Sequence, residues 1–407
     1  MAQRDTGVRI ERIDADDYPA FRHAFGATFG HEPRDEDLER STLIVEHDRA
    51  LAARDRDGAI VGTSGAYSYE ISLPGARSAP CGGVTVVSVR ADHRRRGLLT
   101  RMMAQLLEDS AERGEPFSAL WASESPIYGR YGYGPAVPTY EMTIERVRSR
   151  FRHDDPVGEV GLVPSDEALE RFPELHEAFR RQRAGVMGRS GNWWQRLLDD
   201  PEHRRDGAGP RQHALLPGRG FATYRLKNTW TDDAPDGIVQ VDDLVALDAD
   251  AAAALWRFVL DVDLSERVTV SFRPVDDPVL SLLEDPQRAR IRRSMALYLR
   301  LVDVEAAVAA RAFTADGSVV LDLVDGLRPS NAGRWRLTVA SGEGQLARTD
   351  DEVDLHLDVE ALATVFLGGV RTTQLRLAGR VRGEHDAAAQ LDRMLATDLA
   401  PASDLMF

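Results

Sequence analysis

The chain has 407 residues, of which 43% are hydrophobic and 29% charged, with a formal net charge of −15. This length suffices for two or three domains, and no apolar run approaches the roughly 20 residues that cross a bilayer. The negative charge argues against a nucleic-acid partner, which needs a basic surface. Because the start lacks the apolar core of a signal peptide, we expect a cytoplasmic protein without a membrane partner.

Cysteine and histidine usage excludes further classes. One cysteine, Cys81, excludes an intramolecular disulfide and any multi-cysteine metal site, and its place in the Pro-Cys-Gly-Gly sequence predicts a structural role in a glycine turn. The ten histidines show no metal-ligand spacing, so no metal is expected. Acidic clusters at residues 14–17, 32–39 and 232–243 either attract cationic substrates or keep the surface soluble.

Hydrophobic periodicity in the first third of the chain predicts alternating helices and strands. A helix is predicted at residues 18–29 and another from Gly97 onward, where apolar residues recur at helical spacing. The predicted strands are residues 51–53 and 59–61, which form a hairpin, a strand around 67–71, and residues 84–89, 118–122 and 139–145.

The stretch from residue 84 to 99 predicts an anion site. A helix that begins near Gly97 directs its unpaired N–H groups and positive dipole end at the preceding turn. Arg94, Arg95 and Arg96 in that turn add charge-assisted hydrogen bonds, which favours a polyphosphorylated ligand. The alternative is a solvated basic turn before an ordinary amphipathic helix.

The spacing Arg94-x-x-Gly97-x-Leu99 resembles the Arg/Gln-x-x-Gly-x-Gly/Ala signature with which the GNAT superfamily of N-acetyltransferases holds the pyrophosphate of acetyl-coenzyme A. Leucine at the last position departs from that signature. The resemblance implies that the strand before the turn and the strand after the helix part at their ends. The backbone of Val87 and Val89 then binds the pantetheine arm like an added strand.

Residues 123–135 are dense in tyrosine and glycine and follow the predicted strand 118–122. When an amine attacks a thioester, the departing thiolate needs a proton, and a tyrosine hydroxyl with a pKa of about 10 is able to donate one. Tyr128 is the candidate acid. The alternative is that Tyr128, Tyr131 and Tyr133 are aromatics packed at a domain edge.

Two longer sequences, RADHRRRGLLTRMM at residues 90–103 and WASESPIYGRYGYGPA at 121–136, resemble the Eis (enhanced intracellular survival) acetyltransferases of actinobacteria, a branch of the GNAT superfamily. The resemblance implies that Tyr128 is the general acid and that the terminal carboxylate of Phe407 is the base that deprotonates the substrate amine. It also implies acetyl-coenzyme A contacts from Val87, Val89, Arg94, Arg95, Gly97, Leu98 and Ser123.

The middle of the chain repeats the order of the first third. Residues 218–226 and 237–247 predict a hairpin with its turn at 231–236, and a helix at 251–262 and a strand at 267–272 follow. Residues 193–198 predict a further helical patch. Asp248 and Asp250 replace the arginine turn and repel a pyrophosphate. This region is therefore interpreted as a degenerate acetyltransferase-like fold without cofactor, which forms a wall of the substrate pocket.

The last third predicts strands with covering helices. Its strings DLHLDVEALATVFLGG and LAGRVRG resemble the sterol-carrier-protein-like C-terminal domain of Eis proteins. The resemblance implies that this domain positions the C-terminus and supports a homohexamer, and no sterol ligand is predicted. Strands are predicted at residues 297–302, 317–323, 334–339, 354–357 and 374–377, and helices at 359–367 and 387–395.

The sequence thus predicts an α/β (α+β) protein with two tandem GNAT folds, the second degenerate, and a sterol-carrier-like domain. The predicted boundaries are 1–147, 148–290 and 291–407. The predicted function is acetyl-coenzyme A-dependent N-acetylation of primary amines on polycations such as aminoglycosides. The alternative is a noncatalytic binding protein that uses the GNAT fold as a scaffold and its C-terminal domain for a lipid or protein partner.

Overall fold

A computed structural model describes residues 7–153, 158–231 and 234–407. The chain divides into two compact units. The first unit contains the residues up to 136, residues 297–397 and residues 406–407, and the second contains residues 137–296 and 398–405. Each unit is described by itself below.

The first part of the chain forms a mixed sheet with helices, as predicted. Both predicted helices are present, and a hairpin forms where predicted, although residues 51–53 pair with residues 62–64 and not with 59–61. Residues 60–61 and 67–71 belong to one long strand. A helix at residues 35–42 was not predicted. The elements are β1 (Arg9–Arg12), α1 (Tyr18–Thr28), α2 (Asp35–Thr42), β2 (Ala50–Arg54), β3 (Ile60–Leu73), β4 (Arg77–Val89), α3 (Leu98–Glu112), β5 (Phe117–Leu120) and α4 (Ser125–Tyr128).

These strands lie in the order β1-β2-β3-β4-β5, antiparallel except for the parallel pair β4–β5. Successive side chains of a strand point to opposite faces, so both faces of the sheet need a cover. Ala52 packs with Phe21 of α1, and Ala53 packs with Met102 of α3. The sheet is therefore covered by α1 on one face and by α3 on the other.

The predicted glycine turn at residues 80–83 is wrong, because these residues lie inside β4. A Cβ atom built on Gly82 would lie 2.6 Å from Ser110 Oγ and 2.8 Å from Glu115 Oε2. Glycine is therefore needed for close approach to a buried ion pair, in which Arg49 Nη2 lies 2.8 Å from Glu115 Oε2. Cys81 is fully buried, and burial raises the pKa of its thiol, which agrees with a structural role.

The middle of the chain repeats the strand–helix–strand order. In the predicted hairpin, β9 (Gly220–Lys227) pairs with β12 (Gly237–Ala246), although residues 232–233 of its predicted turn lie outside the described residues. The predicted helical patch at 193–198 is part of α6. The elements are β6 (Gly134–Glu145), β7 (Gly161–Val163), α5 (Ser165–Arg180), α6 (Gly191–Leu198), β8 (Gln212–Leu216), β9 (Gly220–Lys227), β10 (Trp230–Thr231), β11 (Ala234–Pro235), β12 (Gly237–Ala246), α7 (Ala249–Leu260), β13 (Ser265–Pro274), α8 (Val279–Leu282) and β14 (Arg290–Leu301).

In the second unit, α7 connects the parallel strands β12 and β13 as α3 connects β4 and β5. The fully buried Trp256 of α7 packs on this sheet. Asp248 caps α7 by accepting a hydrogen bond from Ala251 N at 2.9 Å. Its carboxylate stands at the helix end where the first fold has Gly97, and the negative charge disfavours an anion there.

The last part of the chain completes the first unit with a sheet in the order β17-β16-β15-β18-β19. Val304–Ala310 and Glu343–Arg348 were not predicted as elements. The elements are α9 (Val304–Ala310), β15 (Gly317–Val324), β16 (Gly333–Ala340), β17 (Glu343–Arg348), β18 (Leu355–Asp358), α10 (Val359–Phe366), α11 (Thr372–Leu377), β19 (Arg382–Gly383) and α12 (His385–Leu395).

The predicted strand at residues 374–377 is wrong, because these residues form the end of helix α11. Apolar and polar residues alternate there as in a strand, but Leu375 is buried while Leu377 is 86% exposed. The carboxylate of Asp392 accepts hydrogen bonds from the backbone N–H groups of Thr372 and Thr373. A distant side chain thus caps the helix and overrides the local alternation.

The C-terminal part packs directly on the first sheet within the first unit. Strand β5 pairs antiparallel with the end of β14, where Leu120 is opposite Tyr298. The rings of Phe117 and Phe366 lie 5.6 Å apart. Residues far apart in sequence therefore share one core, which places the end of α10 beside the start of β5.

Candidate active site

The last residues of strand β4 have one edge without a strand partner among the described residues. Its parallel pairing with β5 stops where Val84 is opposite Leu120, but β4 continues to Val89. Arg90 N donates to Val61 O at 2.9 Å, so the adjacent Val89 sits at a position where its N–H and C=O point away from β3. The two strands part as the resemblance implies, and the Val89 N–H points to the open side, where Arg94 Nε donates to Val89 O at 3.4 Å.

A β-bulge lies just before this edge. The register between β3 and β4 shifts here, and Val86 has a φ of +46°. Thr63 Oγ1 donates to Val86 O at 2.7 Å and holds the bulge in place. Bulges redirect a strand and are frequent next to active sites. Val87, the next residue, therefore lies where β4 bends away from regular pairing.

The turn after β4 is held by local ion pairs. Arg90 Nε lies 2.7 Å from Asp92, and His93 Nδ1 lies 3.0 Å from the same carboxylate. Arg96 Nη2 donates to Asp92 O at 2.8 Å. His93 is thus a turn residue, as predicted.

The start of α3 fits an anionic ligand. Gly97 occupies its N-cap position with a left-handed φ of +78°, and no side chain of the described residues caps the helix there. Arg94, Arg95 and Arg96 are all exposed around this end. Leu98 is 2% exposed and packs in the core, so only its backbone N–H faces a ligand.

The segment that follows β5 carries the candidate acid. Tyr128 ends the short helix α4, and its side chain is buried against the edge of the Tyr133 ring, with ring centroids 6.3 Å apart. Burial raises the pKa of Tyr128, so its hydroxyl stays protonated at neutral pH. Ser123, before α4, is exposed, and Ser125 Oγ lies 2.6 Å from Tyr298 Oη.

The other two tyrosines of the segment have packing roles. Tyr131 Oη lies 3.3 Å from Thr100 Oγ1 of α3. Tyr133 is fully buried, and its Oη lies 2.8 Å from Ser118 Oγ, which donates to Gly82 O at 3.0 Å. The packing interpretation therefore holds for Tyr131 and Tyr133.

Phe407, the last residue of the sequence, lies against β3 and β4. Its ring centroid is 4.9 Å from that of Tyr69. A Cβ atom built on Gly83 would lie 2.5 Å from Tyr69 Cδ2 and 3.0 Å from Phe407 Cε2, so glycine makes room for both rings. Phe407 therefore packs on β4, the strand that continues to Val87. Contacts link this part of β4 to Tyr128: Ser118 donates to Gly82 O and contacts the Tyr133 hydroxyl, and the Tyr133 ring packs on Tyr128.

Sequence reasoning missed the supporting roles of Tyr69 and Ser118. The signal for Tyr69 was the pair Gly82–Gly83 directly before the β-branched run at residues 84–89, because glycine within a strand often marks the close approach of another group. Within the described ranges, no group of three or more His, Cys, Asp or Glu side chains is arranged to hold a metal ion. The described helices also include none with the length and apolarity to span a membrane.

Comparisons with known proteins show which family this chain belongs to. An acetyltransferase (GNAT) domain matches residues 9–136, a second one matches 185–301, and a sterol carrier protein domain matches 304–403. The two tandem folds and the C-terminal domain predicted from the sequence are thus confirmed.

Relatives that match over nearly their whole length are described as N-acetyltransferases. A protein described as an uncharacterized N-acetyltransferase of Streptomyces avermitilis is 40% identical over 93% of both chains. The N-acetyltransferase Eis of Mycobacterium tuberculosis is 34% identical over 96% of both chains. The crystal structure of Eis1 from Mycobacterium abscessus matches with a TM-score of 0.85 at 31% identity, covering 98% of this chain and 100% of that one. The chain is therefore an acetyltransferase that belongs to the Eis family of GNAT N-acetyltransferases.

Proposed function

We propose that this enzyme transfers an acetyl group directly to a primary amine of a polycationic acceptor, with aminoglycosides as the candidate class. The observation that carries this proposal is the position of Phe407, whose ring packs on Tyr69 and Gly83, just before the part of β4 that extends beyond its pairing with β5. The relatives named Eis support the reaction class.

Acetyl-coenzyme A supplies the activated acetyl thioester. Within the proposal, the backbone of Val87 and Val89 binds the pantetheine arm along the unpaired edge of β4. The pyrophosphate site is formed by Arg94, Arg95, Gly97 and the N–H of Leu98, where the helix dipole and the exposed guanidinium groups favour negative charge. Ser123 contributes a hydroxyl beside the end of β5.

Two groups move protons in the proposed mechanism. The α-carboxylate of Phe407 accepts a proton from the acceptor amine, directly or through a water, so that the nitrogen lone pair attacks the thioester carbon. As the carbon–sulfur bond breaks, the Tyr128 hydroxyl donates its proton to the departing thiolate. Its raised pKa keeps that hydroxyl protonated until the thiolate forms. No covalent enzyme intermediate is needed.

A cationic acceptor is favoured by the charge of the chain. The net charge is −15, and α2 begins with the acidic residues Asp35, Glu36 and Asp37. Such a surface raises the local concentration of polycations by long-range attraction. The homohexamer and the cytoplasmic location stay predictions from the sequence, and the mass of the assembly in solution tests the first.

The test is thiol release from acetyl-coenzyme A with aminoglycosides, polyamines and lysine-containing peptides. We expect turnover with at least one polycation, and we expect Tyr128→Phe to lower kcat roughly 100-fold because general acid catalysis contributes about that much or more. Tyr131→Phe is the matched control, since it removes the hydroxyl of a neighbouring tyrosine, which lies 3.3 Å from Thr100 Oγ1 of α3. Equal kcat for Tyr128→Phe and the unmodified enzyme contradicts the assignment of the acid.

A further inference from the structure

The glycines of the tyrosine segment face one turn of the C-terminal domain. A Cβ atom built on Gly129 would lie 3.1 Å from Glu360 Cδ and 3.2 Å from both carboxylate oxygens. One built on Gly134 would collide with Glu360 O and Thr364 Oγ1. Both contacted residues belong to α10 (Val359–Phe366), so glycine lets this helix approach the backbone on both sides of Tyr131.

A third glycine extends the same contact. Gly132 has a φ of +82°, and a Cβ atom there would lie 2.7 Å from Val359 Cγ1 and 2.9 Å from Arg300 Cζ. Arg300 is fully buried and lies 2.6 Å from the carboxylate of Asp325. The backbone after Tyr128 therefore rests on the first turn of α10 and on a buried ion pair.

Contacts at both ends hold helix α10 in place. Asp358 caps it by accepting a hydrogen bond from Ala361 N at 2.7 Å, and Phe366 at its other end packs on Phe117 of β5. Glu360 is half-buried between this helix and Gly129, and its Oε2 lies 3.0 Å from Arg380 Nη2. The ion pair with Arg380 and the contact with Gly129 together give the carboxylate a defined place.

We propose that Glu360 is a positioning residue for Tyr128: its side chain contacts the backbone at Gly129 and so fixes the tyrosine hydroxyl at the reaction centre. The inference rests on the proposed function, in which Tyr128 is the general acid. It gives the sterol-carrier-like domain a part in acid catalysis. Glu360 acts through the backbone of the next segment and does not touch the substrate.

The experiment compares Glu360→Ala with Glu360→Gln by steady-state kinetics. Because small displacements of a catalytic group lower rates strongly, we expect Glu360→Ala to lower kcat roughly 10- to 100-fold. The KM for acetyl-coenzyme A should stay within about twofold, since the pyrophosphate site is unchanged. Glu360→Gln keeps the size of the side chain and should restore kcat. Glu305→Ala, an exposed glutamate in the first turn of α9, is the matched control.

A double-mutant cycle separates positioning from a general structural defect. If Glu360 acts through Tyr128, then Glu360→Ala lowers kcat no further once Tyr128→Phe is present. An equal loss in both backgrounds, or an unchanged kcat for Glu360→Ala alone, overturns the inference. Tyr128→Phe by itself reports on the proposed function: if it keeps full kcat, the acid is misassigned and the positioning role is overturned with it.

A second variant tests the positioning role of Glu360 if Glu360→Ala fails to fold. Gly129→Ala adds a methyl group on the other side of the same contact, and Gly129 has a helical φ of −55° that alanine adopts without strain. We expect this variant to lower kcat at least roughly tenfold by displacing Tyr128, with unchanged binding of coenzyme A in a calorimetric titration. Full kcat for Gly129→Ala overturns the inference.

Discussion

Tyr128 is suited to donate a proton because of where it is buried. Its ring packs on Tyr133, whose own hydroxyl contacts Ser118. Desolvation disfavours the phenolate, so burial raises the pKa of Tyr128, and the neighbouring Tyr131 and Glu124 act in the same direction. A group that titrates above the ordinary tyrosine value of about 10 is a competent acid throughout the neutral range.

The direction of this pKa shift predicts the pH dependence of the reaction. The protonated form is the active form, so raising its pKa extends activity to higher pH. We expect kcat to show no loss from tyrosine ionisation below a pH of about 10. A profile of kcat against pH at saturating substrates measures this. A descending limb near pH 8 that disappears in Tyr128→Phe contradicts the expected shift.

At the scale of elements, the proposed donor site lies in the turn between β4 and α3, and the proposed acid lies in the tyrosine segment. The turn could be predicted from the sequence because Arg94, Arg95 and Gly97 are close together in the chain, with a solvated basic turn as the alternative to an anion site. Gly97 takes the left-handed conformation at the N-cap that its residue type favours. Under the proposed function, binding at this turn and catalysis at Tyr128 should be separable by substitution.

Arg94→Ala should weaken binding of the donor without changing the chemical step. Losing a charge-assisted hydrogen bond to a phosphate raises the KM for acetyl-coenzyme A roughly tenfold, while kcat stays within about twofold. The informative comparison uses acetyl-pantetheine, which lacks the pyrophosphate. The variant should match the unmodified enzyme with this donor, and an equal loss with both donors contradicts a phosphate contact.

The elements that were misassigned depend on distant partners. Residues 374–377 alternate like a strand, yet the carboxylate of Asp392 caps them as a helix. Residues 80–83 read as a turn because of Pro80 and two glycines, yet Gly82 and Gly83 make room for Arg49, Tyr69 and Phe407 inside a strand. Local patterns carry no information about such contacts, so these positions could not be assigned from sequence.

At the scale of the whole molecule, the first unit joins the N-terminal fold to the C-terminal domain. The domain order was predictable from motifs, but their contact was not, because it pairs residues more than a hundred positions apart, such as Leu120 with Tyr298. Arg300 and Asp325 form a fully buried ion pair in this unit. Asn331 Nδ2 donates to the same Asp325 oxygen at 2.9 Å.

Removing one partner of this pair should destabilise the first unit. Asp325→Ala leaves the Arg300 guanidinium buried without its counter-charge, which costs about 3–5 kcal/mol. Chemical denaturation followed by far-UV circular dichroism should show a lower midpoint for the transition of this unit. Exposed ion pairs typically contribute less than about 1 kcal/mol to stability, so a loss of unfolding free energy below that value contradicts a buried pair.

The central claim is that the terminal carboxylate of Phe407 is the catalytic base. The most direct measurement is kcat for a variant with two glycines added after Phe407, once intact mass has established that the parent protein ends at Phe407. The extension converts the carboxylate into an amide carbonyl while the Phe407 ring keeps its contact with Tyr69. We predict a loss in kcat of roughly 100-fold or more with coenzyme A binding unchanged. Full kcat in the extended protein contradicts the account.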